Sequence, residues 1–174
     1  MSWKISKKGF GLAAILAGFL AATLPTLGSA SIWFDEAFSR HIIRFDFGRI
    51  WHFTSLDVHP PFYYFCLKVW SMIFGASDFS IRALSVAFGL ATLIALYFLI
   101  KRLYNSKAAL LSVFFVAFSP LFIKYSQEAR MYTLVALLSI VSIRAYYEAF
   151  VAANSQKKQT TWRRIYILFI ALGL

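Results

Sequence analysis

Residues 9–39 read GFGLAAILAGFLAATLPTLGSASIWFDEAFS, and the fold follows from the junction inside this stretch. Gly9 to Ala30 is a run of 22 residues without a charge, long enough as a helix to cross about 30 Å of hydrocarbon. Directly after it come two adjacent carboxylates, Asp35 and Glu36, set among Trp33, Phe34 and Phe38. A carboxylate against a bilayer surface is costly, so a pair of them calls for a partner or a task.

The rest of the chain repeats the apolar pattern. Of 174 residues, 60% are hydrophobic and 19% aromatic, with a mean hydropathy of +0.68. Charged residues make up only 14%, against about a quarter in soluble domains. Uncharged blocks recur at Ala83–Ile100, Ala108–Ile123 and Met131–Ile143. These features exclude an ordinary soluble domain and predict an all-α polytopic membrane protein. The expected spans cover about 9–30, 81–100, 107–123 and 131–150. A fifth starts at 165, so the chain reads as the N-terminal part of a longer transmembrane domain, residues 1–174.

The net charge of +11 comes with a strong bias in position. Lys4, Lys7 and Lys8, then Lys101, Arg102 and Lys107, then Arg144, Lys157, Lys158, Arg163 and Arg164 all fall on one side of a four-span arrangement, where Glu148 is the only acid. Basic and acidic residues nearly balance on the other side. Such asymmetry is a topology signal, and it makes a nucleic-acid partner unnecessary. It predicts a cytoplasmic N-terminus and a long outer loop over 31–80. The basic start also resembles a signal peptide, but an uncleaved anchor keeps the charge count consistent. The single cysteine, Cys66, rules out an internal disulfide or a Cys-rich metal site.

Within the outer loop, Pro61–Gly75 is apolar but short, with Lys68 at its centre. A span there would bury a charge and place the basic 101–107 loop outside, so an interfacial helix is expected, opened by Pro60-Pro61. Phe34, Phe38, Ile42 and Phe45 recur at helical spacing and predict a second interfacial helix over Trp33–Phe53, joined to the first by a turn near 54–58.

Three polar clusters share the predicted outer side: Asp35-Glu36, Asp57-Val-His-Pro-Pro61, and the turn Lys124-Tyr-Ser-Gln-Glu-Ala-Arg-Met-Tyr132. Each has a plainer reading. The acids suit a helix N-terminus, His59 suits a turn, Arg82 and Asp78 suit the head of a span, and Glu128 and Arg130 suit a wet loop. Asp57 and His59 are candidate metal ligands, although two residues do not define a metal site. Together, acids facing cations fit a reaction that joins a hydroxyl nucleophile to a phosphate leaving group. A carboxylate accepts the proton and fixed cations stabilise the departing phosphate.

The order of motifs strongly resembles the N-terminal part of the dolichyl-phosphate-mannose protein mannosyltransferase superfamily, with its bacterial Rgt-type and aminoarabinose transferase relatives. The matching strings are Asp-Glu after the first span, His-Pro-Pro-Phe-Tyr-Tyr, Phe-Gly-Ala-Ser-Asp-Phe-Ser-Ile-Arg-Ala-Leu-Ser, and Ser-Pro-Leu-Phe-Ile-Lys-Tyr-Ser-Gln-Glu-Ala-Arg-Met-Tyr. The resemblance implies a GT-C type helical bundle with juxtamembrane helices in the first outer loop. It implies transfer of a sugar from a polyprenyl-phosphate donor to an acceptor protein, lipid or polysaccharide, with inversion, on the non-cytoplasmic face of the membrane. Carried over, Asp35 looks like the catalytic carboxylate and Glu36 its companion or an acceptor contact. His59, Lys124 and Arg130 look like donor-phosphate residues, and Glu128 like a residue that holds the sugar or orients Arg130. Some relatives place a divalent metal ion nearby. The rival readings are a transporter or flippase of a lipid-linked substrate and a non-catalytic membrane scaffold.

Overall fold

The computed structural model describes residues 7–56, 61–152 and 156–173, and these form helices joined by short links, with no strand among them. Helix α1 (Lys7–Thr23) runs into a 3₁₀ turn at Leu24–Thr26, where Pro25 occupies the opening of the turn. Three short helices follow: α2 (Phe34–Ile42), α3 (Phe47–Ser55) and α4 (Phe62–Phe74). The long helix α5 (Asp78–Leu103) leads to α6 (Ser106–Ala117) and α7 (Pro120–Ser126). The last elements are α8 (Tyr132–Tyr146), extended by a π-helical turn at Tyr147–Val151, and α9 (Gln156–Gly173).

Local chemistry accounts for the boundaries. The Ser77 hydroxyl accepts from the Ser80 N–H at the start of α5, with Asp78 in its first turn and Lys101 and Arg102 in its last. Both ends therefore suit the helix dipole. Asn105 caps α6 by accepting from Lys107 N and Ala108 N. α4 ends at Gly75, whose φ of 80° only glycine adopts without strain.

α5 is the central post. One core gathers Phe19, Val86, Leu93, Tyr97, Ala109, Val113 and Ala117 where α1 and α6 pack on it. The other gathers Ile42, Ile50, Tyr63, Tyr64, Leu67, Ile81, Leu84, Leu134 and Leu138 where α2, α3, α4 and α8 meet it. Hydroxyl groups stitch α5 to α8: Thr133 donates to Ser85 O (2.9 Å) and Thr92 donates to Thr133 O (3.1 Å). Such Ser/Thr bonds work between apolar helices because no water competes for the carbonyl.

Asp78–Leu103 and Tyr132–Val151 are long and apolar enough to cross a bilayer. With large apolar side chains such as Leu111, Phe115 and Ile143 facing outward, the chain is an all-α integral membrane protein. The sequence-based boundaries differ from the structure in four places. The first apolar helix ends near residue 26, not 30, leaving 17 residues, Phe10–Thr26. The expected span 107–123 is broken at Phe118-Ser119, and its halves α6 and α7 meet at 66°. Pro120 supplies the reason: it lacks an N–H and drives Ser119 to an extended ψ of 126°.

The expected single helix over Trp33–Phe53 is two, because Asp46 turns its carboxylate onto the Arg49 N–H and starts a new helix there. The last helix begins at Gln156, ahead of its apolar stretch, since Gln159 and its neighbours are compatible with helix without being apolar. α4 has 13 residues, as short as expected for the Pro61–Gly75 segment. Its Lys68 donates to Ile43 O at 2.7 Å, so the charge at its centre ties α4 to the end of α2.

Candidate active site

Asp35 and Glu36 open α2, and consecutive helical residues point about 100° apart. Their carboxylates therefore meet different partners. Glu36 is 1% exposed and faces Arg82, which is 3% exposed in the second turn of α5. The pair is bidentate: Arg82 Nε to Glu36 Oε1 at 2.8 Å and Arg82 Nη2 to Glu36 Oε2 at 2.6 Å. Glu36 Oε1 also accepts from the Ala129 N–H at 2.8 Å. Burial works against ionising Glu36, but the Arg82 and Ala129 hydrogen bonds outweigh it and hold the carboxyl below its usual range.

Asp35 turns to another side, towards Arg130. Its Oδ2 lies 3.6 Å from Arg130 Nη2, an ion pair without a close hydrogen bond, and its side chain is 34% exposed. Arg130 itself is 4% exposed. Its Nη1 lies 3.4 Å from Asp35 O and 3.5 Å from Tyr64 Oη. Its carbonyl accepts from Ser85 Oγ, which in turn is 3.3 Å from Tyr63 Oη. The base of this half of the site thus rests on two adjacent tyrosines of α4 and a serine of α5.

The turn between α7 and α8 uses each residue of Gln127-Glu-Ala-Arg130 differently. Gln127 Nε2 donates to Thr23 O (2.9 Å) and to Thr26 Oγ1 (2.6 Å), closing the turn onto the end of α1. Ala129, fully buried, brings its N–H to Glu36. Arg130 takes Asp35. Glu128 lines a cavity of about 270 Å³, together with Ser29, Ser31, Trp33, Glu36, Arg82 and Lys124. Burial pushes the Glu128 carboxyl up, against the pull of Lys124; Glu36 adds to the rise, Arg130 opposes it and Asp35 reinforces it. A carboxyl raised this way, in a cavity, is a characteristic of functional sites.

Among the expected site residues, the structure brings Asp35 to Arg130, and Lys124, Glu128 and Glu36 to one cavity. The Asp35 side chain does not line that cavity, whereas the paired Glu36 and Arg82 do. Asp57 and His59 lie outside the described residues. Among the described residues, no group of three or more His, Cys, Asp or Glu side chains is placed to hold a metal ion.

The sequence marks Arg82 only as the head of a span, and it gives no place in the candidate site to Arg82, Tyr63, Tyr64 or Ser85. The signal was present. An arginine just inside a long apolar helix is expensive without a partner, and the free acids of the chain are few.

The family model for dolichyl-phosphate-mannose-protein mannosyltransferase matches residues 58–174. The chain belongs to this family. It is therefore a membrane glycosyltransferase of the GT-C type, and the resemblance noted in its motifs holds. The matched segment contains Arg82, Lys124, Glu128 and Arg130, whereas Asp35 and Glu36 precede it. No curated protein and no solved structure matches the chain.

Proposed function

We propose that this protein transfers a sugar from a polyprenyl-phosphate donor to an acceptor hydroxyl on the non-cytoplasmic face of the membrane, with Asp35 as the base. The observation that carries the reading is a partly exposed carboxylate held 3.6 Å from a buried arginine, at the end of a bundle in a GT-C family member.

Asp35 stays within ion-pair reach of Arg130. The ion pair is also loose enough to leave carboxylate lone pairs free for an incoming hydroxyl. The acceptor O–H gives its proton to Asp35 as its oxygen attacks the anomeric carbon. The bond from that carbon to the donor phosphate breaks on the opposite face, which inverts the configuration. The polyprenyl phosphate leaves with the electron pair. We assign Arg130, beside Asp35, to the departing phosphate, and Lys124 and His59 to donor binding. Glu128, in the neighbouring cavity, is assigned to sugar hydroxyls.

The lipid tail stays in the bilayer, which explains a site at the end of the bundle. The acceptor is a protein, a lipid or a polysaccharide hydroxyl. In membranes containing the full-length protein and a labelled polyprenyl-phosphate sugar, Asp35→Asn lowers transfer by on the order of 10²–10⁴-fold while leaving expression and insertion intact. Wild-type turnover by Asp35→Asn would remove Asp35 from the base role.

A further inference from the structure

Arg82 has five N–H donors, and every one has an acceptor. Nε and Nη2 hold Glu36, Nη1 holds Leu27 O and Ala30 O (2.9 Å each), and Nη2 also reaches Ser31 O at 3.2 Å. Lysine cannot reproduce this, because an ammonium has three donors and no planar fork. The three carbonyls belong to the link between α1 and α2. Glu36 in turn reaches Ala129, one residue before Arg130. One guanidinium and one carboxylate therefore connect α1, α2, α5 and the α7–α8 turn.

Asp35 and Arg130 are the immediate neighbours of the two residues so joined. Neither member of the Glu36–Arg82 pair has spare capacity to turn towards Asp35's face of the site. An isolated salt bridge inside a fold is not by itself a stabilising device, since burying both charges costs about as much as pairing returns. A pair that joins four segments beside a reacting group has a different use.

We infer that Arg82 is a positioning residue, and that Glu36 acts with it: their pair sets the distance and angle between the Asp35 carboxylate and Arg130. The inference rests on Asp35 being the base, and it gives Glu36 the role of alignment. The asymmetry between the carboxylates explains their adjacency. Glu36 is buried and saturated so that Asp35, one residue away, can be held open.

The test uses the full-length protein in membranes. Arg82→Lys and Glu36→Gln each lower kcat about tenfold to hundredfold, the range expected when a reacting group is misplaced by about 1 Å. Donor KM stays within about threefold, because the donor contacts are intact. The two substitutions combined lose no more than the worse of them alone, since both break one device. Unchanged kcat in Arg82→Lys, or losses that multiply in the double variant, overturns the inference.

A second readout needs no activity. Ser39 is fully buried on α2. In a background with Cys66→Ala, Ser39→Cys reports whether α2 stays docked. A maleimide labels it slowly with Arg82 in place, faster with Arg82→Lys and fastest with Arg82→Gln. Labelling at one rate in all three overturns the inference whatever the activity shows. Wild-type turnover by Asp35→Asn combined with this graded labelling rejects Asp35 as base and upholds the clamp.

Discussion

At the scale of single residues, Glu36 and Arg82 carry the largest individual consequences. Glu36→Ala leaves a guanidinium buried without its carboxylate and is expected to cost about 3–5 kcal/mol of stability, measured by unfolding in detergent. Replacing both members by apolar residues of similar volume costs far less, because no uncompensated charge is left behind. The same pair sets an acid limit. Folding lowers the Glu36 pKa from its ordinary value of 4.5, so its contribution is complete above pH 4.5 and disappears as pH falls through the lower folded value. The thermal midpoint should therefore fall below pH 4.5, and Glu36→Gln should flatten that part of the profile. Glu128 works in the opposite sense. Its folded pKa is raised above 4.5, so its contribution is complete below 4.5 and is lost as pH rises through the folded value. Asp35 and Arg130 were legible in the sequence as site candidates because acids and cations beside apolar spans need an explanation. The division of labour between Asp35 and Glu36 was not legible. Two adjacent residues differ only in the direction in which the helix points them, and that depends on what is packed nearby.

At the scale of elements, close approach between helices is set by glycines. A Cβ added at Gly89 of α5 would lie 3.0 Å from Ser126 Oγ and 3.1 Å from Phe19 Cζ, both in fully buried side chains. At Gly18 of α1 the nearest atom is Phe118 Cζ at 2.8 Å, the far end of a ring that is partly exposed and free to swing. Alanine gains about 1 kcal/mol of helix propensity at either place. Overpacking of about 1–3 kcal/mol cancels that gain at Gly89. Gly89→Ala should thus be destabilising or at best neutral, and Gly18→Ala neutral or stabilising, in parallel thermal unfolding measurements. The existence and type of the long helices were readable from apolar run length. The breaks were only partly readable: Pro120 announced its kink, whereas Asp46 acts as an N-cap only because residues 43–46 are free to leave the helix.

At the scale of the whole molecule, charge asymmetry predicts that the end bearing Asp35 faces outward. Leu56, at that end, and Tyr104, at the other, are 76% and 73% exposed. In a cysteine-free background made by Cys66→Ala, an impermeant maleimide applied to intact cells should label Leu56→Cys and spare Tyr104→Cys. The reverse pattern would place the site on the other face, and either it or equal labelling would overturn the proposed acceptor side. The sequence alone determined the solvent and the class of fold, because long uncharged runs in a chain this poor in charge are stable only as helices in lipid. It also determined the family, because motif strings in order at consistent spacing survive without coordinates. Tertiary structure alone decided that the two carboxylates at residues 35–36 meet different partners. Asp35 is left open beside Arg130, and Glu36 is closed on Arg82. The residues that separate them, Arg82 and Ala129, lie 46 and 93 positions away from Glu36, and only folding brings their N–H groups to its carboxylate.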